Sequence, residues 1–231
     1  MNKKPLPVNL RKSEVTWGLR YLLFELVFQG SLLSYVLSLF LPDVRSIHID
    51  TAYFIINFAV VVGIFRRYLW LSLKHGFTHW SKLLIAAGIG FAVYWVLIIG
   101  VDALIYRLFP DFQNVNDAGI AQYTREYFWI TAVGTVVLVP LAEETLFRGL
   151  LFGTLHQRNR GLAYLFSVLF FAFIHVMGYF GAAPTSVLMI CLLQYIPAGL
   201  VLAWAYEFSG SILAPTLIHM GVNAIAILSM R

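Results

Sequence analysis

Long apolar segments dominate this sequence and decide what the chain can fold into. Seven of them approach or exceed the roughly 20 residues that a helix needs to cross a bilayer. Helices satisfy their own backbone hydrogen bonds in lipid, so each segment is expected to be helical. We therefore predict an all-α fold: a polytopic membrane bundle of about seven transmembrane helices in a single integral-membrane domain, residues 1–231. The predicted spans are residues 17–41, 52–73, 83–106, 127–156, 161–181, 184–207 and 210–229.

Composition excludes several other classes of protein. Hydrophobic residues make up 60% of the chain and charged residues 12%, whereas soluble domains have about 25% charged residues. A water-soluble core of 231 residues could not bury this much apolar surface. No basic and aromatic module suggests nucleic-acid binding, so the net charge of +5 is attributed to loops that contact membrane lipid. The single cysteine, Cys191, excludes an intrachain disulfide.

Basic residues predict the orientation in the membrane. They cluster before the first span, between the second and third, and after the fourth, while the alternate loops carry fewer. The positive-inside rule then predicts a multi-pass protein of the cell membrane with a cytoplasmic N-terminus. The polar connection at residues 107–125 is expected to be an external, solvated linker. The basic residues are Lys3, Lys4, Arg11, Lys12, Arg66, Arg67, Lys74, Lys82, Arg158 and Arg160 on one side, and Arg45, Arg107 and Arg125 on the other.

Three polar clusters interrupt the late spans. Ionisable side chains in hydrocarbon cost at least ~2.5 kcal/mol each, so several in one bundle indicate a function. Counting residues from the span ends places all three in the middle-to-cytoplasmic half of the bundle, where they could line one cavity. The clusters are Glu143-Glu144 with Arg148, then Phe171 with His175, then His219 with Asn223.

The first cluster follows Pro140, which is typical of a helix start and would place both glutamates in a first turn. Glu144 and Arg148 are spaced i, i+4 and can pair on one face. Glu143 is turned about 100° away and remains available to act on water. The structural alternative is an ion network that holds helices together.

The two histidine clusters suggest complementary chemistry. His219 and Asn223 share a helix face, and their N–H groups could stabilise an oxyanion. His175 alone is more typical of a hydrogen bond between helices, and the same alternative applies to the His219 and Asn223 pair. Together, the three clusters can activate a water, which favours hydrolysis inside the membrane.

In this order, Glu-Glu-x-x-x-Arg, Phe-x-x-x-His and His-x-x-x-Asn resemble the CPBP family, which contains the CAAX prenyl endopeptidases and the bacterial Abi proteins. The match covers about residues 143–223. The resemblance implies an intramembrane endopeptidase in which Glu143 is the general base and His175 helps to hold the attacking water. It implies that His219 and Asn223 stabilise the oxyanion, with Glu144 and Arg148 completing the catalytic set.

The resemblance implies either a glutamate-dependent or a metal-dependent enzyme. Glu143, His175 and His219 could supply a three-ligand zinc site. Their spacing is not a His-Glu-x-x-His motif, so we prefer a reaction that requires no cofactor, with zinc as the alternative. The expected substrate is a protein or peptide at the membrane. The alternative functions are a non-enzymatic immunity or scaffold protein and a proton-coupled transporter with a Glu/His relay.

Overall fold

A computed structural model describes residues 5–40 and 46–231, and these ranges form eight helices and no β-strand. The all-α fold is therefore confirmed. Lys3, Lys4 and Arg45, and the end of the first predicted span at residue 41, lie outside the described ranges. The helices are α1 (Lys12–Phe40), α2 (Ser46–Thr78), α3 (Trp80–Leu108), α4 (Val115–Glu126), α5 (Phe128–His156), α6 (Arg160–Met177), α7 (Thr185–Ser209) and α8 (Leu213–Ser229).

Every predicted span corresponds to a helix. Five of the described helices, α2, α3, α5, α6 and α7, are long and apolar enough to cross a membrane. The apolar helix α8 has 17 residues. The crossing of α1 and of α8 stays a prediction. Large apolar side chains point out of the bundle, including Trp129, which is 76% exposed, and Val96, which is 72% exposed. Such surfaces are stable against lipid chains, and the protein is a multi-pass membrane protein.

Small residues bring the late helices together. Gly199 of α7 packs directly on Val168 of α6, where an added Cβ would lie 2.9 Å from Val168 Cγ1. Gly90 of α3 similarly leaves room for Ile218 of α8. Small residues let helix backbones approach closely in membranes. This close packing holds the predicted histidine-bearing helices, α6 and α8, against α3 and α7.

Helix α5 continues through Pro140, so the predicted helix start there is wrong. The turns on both sides of this proline are wide π-helical turns, at Gly134–Leu138 and Thr145–Phe152. In the first of them the Val139 N–H bonds to the carbonyl of Gly134, five residues back. The next donor in this register would be residue 140, and a proline has no N–H. The helix thus widens around the proline and passes it without ending.

The polar connection after α3 is also different from its prediction as a solvated linker. Residues 115–126 form the helix α4, whose Asn114 cap accepts hydrogen bonds from the backbone N–H groups of Asn116 and Asp117. The Asn114 side chain is buried and donates to Gln194 of α7 at 2.9 Å. Helix α4 is therefore packed onto the bundle and forms part of the site described below.

Candidate active site

A cavity of about 630 Å³ runs between the helices and receives side chains from all the helices described above. It extends from the buried motif residues to the end of the bundle that carries α4, since Asp50 at the start of α2 and Met230 after α8 also line it. Four of the six predicted catalytic residues line the cavity: Glu143, His175, His219 and Asn223. The other two, Glu144 and Arg148, are fully buried behind its wall.

Glu143 presents a carboxylate with unused hydrogen-bonding capacity. Its side chain is 9% exposed and lines the cavity, and its Oε2 is buried without a hydrogen-bond partner in the described structure. An unsatisfied buried carboxylate oxygen is costly unless a ligand or water completes it. The site therefore has a place for a polar molecule beside Glu143.

Glu144 holds the site together from behind the wall. Its Oε1 accepts a hydrogen bond from Arg148 Nη1 at 3.0 Å, and the predicted i, i+4 pair is present with both side chains 0% exposed. The same oxygen lies 2.9 Å from His219 Nδ1. Because a carboxylate accepts, Nδ1 of His219 carries the hydrogen, and its Nε2 is the nitrogen left for the cavity. His219 can then donate to an oxyanion only when its ring is protonated.

Arg148 also joins two other helices. Its Nη2 donates to the carbonyl of Gly199 at 3.4 Å, and its guanidinium carbon lies 4.2 Å from the centre of the Phe171 ring. Cation–π contacts of this kind contribute about 2 kcal/mol when they are desolvated. The arginine thus connects α5, α6 and α7, and the phenylalanine of the second motif has a physical role in holding it.

His175 is fixed from two sides. Its Nδ1 donates to the carbonyl of Phe171 at 2.8 Å, so the Nε2 of the neutral ring keeps a lone pair. The ring stacks on Tyr195 of α7, with the centroids 4.2 Å apart. The Tyr195 hydroxyl accepts from Asn116 Nδ2 at 3.1 Å and lies 3.4 Å from Asp117 Oδ1. Helix α4 is thereby connected to His175 through a single tyrosine.

Tyr195 was missed by sequence reasoning, because nothing in an apolar segment distinguishes a stacking tyrosine from a packing one. Asn116 and Asp117 belong to the polar connection at residues 107–125, and their contacts with α7 depend on the fold. The helical cap at Asn114 was the available signal for a helix after residue 114.

One amide N–H of Asn223 is used in a hydrogen bond to the backbone. Its Nδ2 donates to the carbonyl of Thr135 at 2.7 Å. That carbonyl is the acceptor that the N–H of residue 140 would satisfy in the π-helical register, and residue 140 is proline. Asn223 therefore replaces a backbone donor that the sequence lacks. Its second amide N–H remains for the cavity that it lines.

The cavity is acidic. Asp50, Asp102 and Asp117 line it together with Glu143, and the described lining contains no lysine or arginine. Asp102 accepts from Gln194 at 2.7 Å, which is a neutral partner. Carboxylates that face a cavity without paired cations keep it polar and accessible to water.

The alternative of a zinc site on Glu143, His175 and His219 stays a prediction. Among the residues that the structure describes, no three His, Cys, Asp or Glu side chains are grouped to hold a metal ion. The two histidines are each fixed by an Nδ1 hydrogen bond that sets the ring direction and leaves Nε2 free, an orientation that metal-binding histidines also have. All three side chains line one cavity.

A family of known proteins matches the part of the chain that carries these residues. The helical bundle defines a membrane protein in which buried Glu143 and His219 and half-buried His175 and Asn223 line one cavity. Residues 125–225 match the family model of the type II CAAX prenyl endopeptidase Rce1-like proteins. The resemblance inferred from the three motifs is thus confirmed over the part of the chain that contains all of them.

One curated relative matches a smaller share of the chain. The chain is 30% identical over 87 residues to the UPF0177 protein YxdF of Lactococcus lactis subsp. lactis (strain IL1403). The match spans 38% of this chain and 42% of the relative. No solved structure matches the chain significantly.

Proposed function

We propose that the protein is an intramembrane endopeptidase of the CAAX-protease type that hydrolyses a peptide bond of a membrane-associated protein or peptide. The observation that carries the proposal is the unpartnered, buried carboxylate oxygen of Glu143 beside a cavity that also holds His175, His219 and Asn223. The Rce1-like match over residues 125–225 supports this class of reaction.

Glu143 accepts a proton from a water molecule as general base. The lone pair on His175 Nε2 accepts the water's other hydrogen and fixes the direction of its oxygen. That oxygen bonds to the carbonyl carbon of the scissile peptide, and the carbonyl oxygen becomes an oxyanion. Glu143 then returns the proton to the leaving nitrogen as the carbon–nitrogen bond breaks.

The oxyanion is stabilised from α8. The free amide N–H of Asn223 donates to it, and a protonated His219 donates through Nε2. Glu144 supports that charge on His219 because its carboxylate already accepts the Nδ1 hydrogen. Arg148 balances the charge of Glu144, so the protonated His219 carries the net positive charge that faces the oxyanion. All these roles are filled by side chains, so we propose that no metal is required.

The orientation predicted from lysine and arginine places α4 and the cavity mouth on the non-cytoplasmic side, with the N-terminus in the cytoplasm. Under this orientation, the substrate reaches Glu143 from the non-cytoplasmic side of the cell membrane.

Quantitative peptidomics of cells that express wild type or Glu143→Gln tests the proposal. Glutamine keeps the volume but cannot take a proton, and loss of a general base costs about 10²–10⁴ in rate. Peptides with new termini should appear in wild-type cells and disappear with Glu143→Gln. The matched control is Glu126→Gln, an exposed glutamate outside the cavity, which should keep the wild-type peptides. Identical peptidomes for wild type and Glu143→Gln at equal expression would favour the non-enzymatic or transport alternatives.

A further inference from the structure

A second cavity lies at the end of the bundle opposite to α4. It has a volume of about 440 Å³ and is formed between the segment before α1 and the last turns of α2. None of its lining residues belongs to the candidate active site. The cavity is lined by Pro7, Val8, Asn9, Arg67, Leu71, Lys74, His75, Thr78 and His79.

The polar side of this second cavity is basic. Arg67, Lys74, His75 and His79 line it, and no carboxylate belongs to the described lining. Arg67 is held in place, since its Nη2 donates to Glu14 Oε2 at 2.7 Å and to a backbone carbonyl of the N-terminal segment at 2.9 Å. Lys74 and His79 are exposed. The cationic groups are therefore accessible to an anion from outside.

The two histidines form a fixed pair. Their ring centroids lie 4.2 Å apart with the rings tilted by 31°, and His79 Nδ1 donates to the carbonyl of His75 at 3.1 Å. This leaves Nε2 of His79 as the nitrogen that can meet a ligand. Lys74, in the last turns of α2, supplies an ammonium to the same cavity.

The surroundings place this cavity at the level of the lipid headgroups. Trp70 and Phe77 are each 68% exposed and Trp80 is 63% exposed, and aromatic side chains concentrate at membrane interfaces. Helix α2 has 33 residues and is about 50 Å long, which exceeds the roughly 30 Å of hydrocarbon. Its last turns therefore reach the headgroup region, and the exposed Leu71 gives the cavity an apolar wall.

We propose that this cavity binds the phosphate of an anionic phospholipid headgroup. The Lys74 ammonium and His79 Nε2 contact the phosphate oxygens, and the acyl chains follow Leu71 and the exposed face of α2. Basic cavities between membrane helices are suited to such headgroups. The bound lipid would join the N-terminal segment to α2, and it requires no catalytic activity of the other cavity.

Native mass spectrometry of the full chain, purified in detergent, tests the proposal with phosphatidylglycerol and phosphatidylcholine of equal acyl length. Wild type should retain phosphatidylglycerol preferentially. Lys74→Gln should bind it about fivefold more weakly, since one basic residue at a lipid surface contributes about that factor. His79→Gln should weaken it in the same direction. The matched control is Arg107→Gln, which removes one exposed positive charge at the other end of the bundle and should bind as wild type does.

Three results would overturn the proposal. Equal retention of the two lipids by wild type would remove the requirement for a negative headgroup. An equal loss with Arg107→Gln would show that net charge, rather than this cavity, attracts the lipid. Displacement of phosphatidylglycerol by millimolar inorganic phosphate would indicate a site for free anions. Lys74→Gln and His79→Gln both alter exposed side chains, so each variant should keep the wild-type melting temperature while it binds the lipid more weakly. If Lys74→Gln melts at a lower temperature than wild type, His79→Gln serves as the test.

Discussion

Arg148 should be essential for stability as well as for the site. It is fully buried, pairs with Glu144 at 3.0 Å and covers the Phe171 ring at 4.2 Å. Arg148→Met keeps much of the volume but leaves the Glu144 charge with only His219 as a partner. Removing one partner of a buried pair costs about 3–5 kcal/mol, because the remaining charge is stranded. For a chain of this size each kcal/mol lowers the melting temperature by about 2–4 °C, so a decrease of roughly 6–20 °C is expected.

Thermal unfolding in detergent, followed by tryptophan fluorescence at one fixed scan rate, measures this decrease. Arg107→Met is the control, because Arg107 is an exposed arginine at the end of α3 outside the site, and surface substitutions of this kind usually change stability by less than about 0.5 kcal/mol. The double variant Glu144→Gln/Arg148→Met removes both charges and should melt above Arg148→Met alone. The reasoning is refuted if Arg148→Met melts within about 2 °C of wild type, or if the double variant loses the sum of both single effects.

Three further predictions concern the site. Tyr195→Leu removes the ring stacked on His175 and should lower kcat about 10²-fold. Tyr195→Phe keeps the stacked ring and should lower kcat less than about 10-fold. Equal kcat values for the two variants would exclude a positioning role for the ring. Asn223→Ala should lower kcat by about 10²–10³ with little change in KM, and a raised KM at unchanged kcat would assign the residue to substrate binding instead. Activity of the purified protein should survive chelation and dialysis. Stoichiometric zinc whose removal abolishes activity and whose return restores it would refute the metal-free mechanism and make His219 a ligand.

The features that depend on local sequence were predictable. Apolar length alone indicates helices, because no other structure satisfies an isolated backbone in lipid. The i, i+4 spacing places Glu144 beside Arg148 and puts His219 and Asn223 on one face, and both arrangements are present. The separation of Glu143 from Glu144 follows from the 100° rotation per residue, and only Glu143 lines the cavity.

The remaining features depend on partners that are distant in sequence. Pro140 ends the helix only if the carbonyl that its missing N–H would serve finds no other donor. Here Asn223, 83 residues later in the chain, donates to that carbonyl, which belongs to Thr135. The same contact uses one of the two amide hydrogens of Asn223 and leaves the other for the oxyanion. The hydrogen bond to Glu144 likewise fixes the hydrogen of His219 on Nδ1. The sequence alone does not specify this tautomer, because Glu144 is 75 residues away.

Helix α4 illustrates a further limit. Its polar composition fits a solvated linker equally well, and only the pairing of Asn114 with Gln194 and of Asn116 with Tyr195 places it over the cavity. Such side-chain pairs between helices leave no periodic signal in either segment.

Cleavage in heavy-oxygen water tests the central claim, which is that Glu143 activates a water for peptide hydrolysis. The purified protein in detergent is incubated with the peptide that the cellular comparison identifies, and the products are analysed by mass spectrometry. Wild type should place one heavy oxygen atom in the new C-terminal carboxylate, and Glu143→Gln should form this product about 10²–10⁴ times more slowly while melting at the wild-type temperature. Product formation by Glu143→Gln at the wild-type rate, or a new C-terminus without heavy oxygen in the wild-type reaction, would contradict the claim.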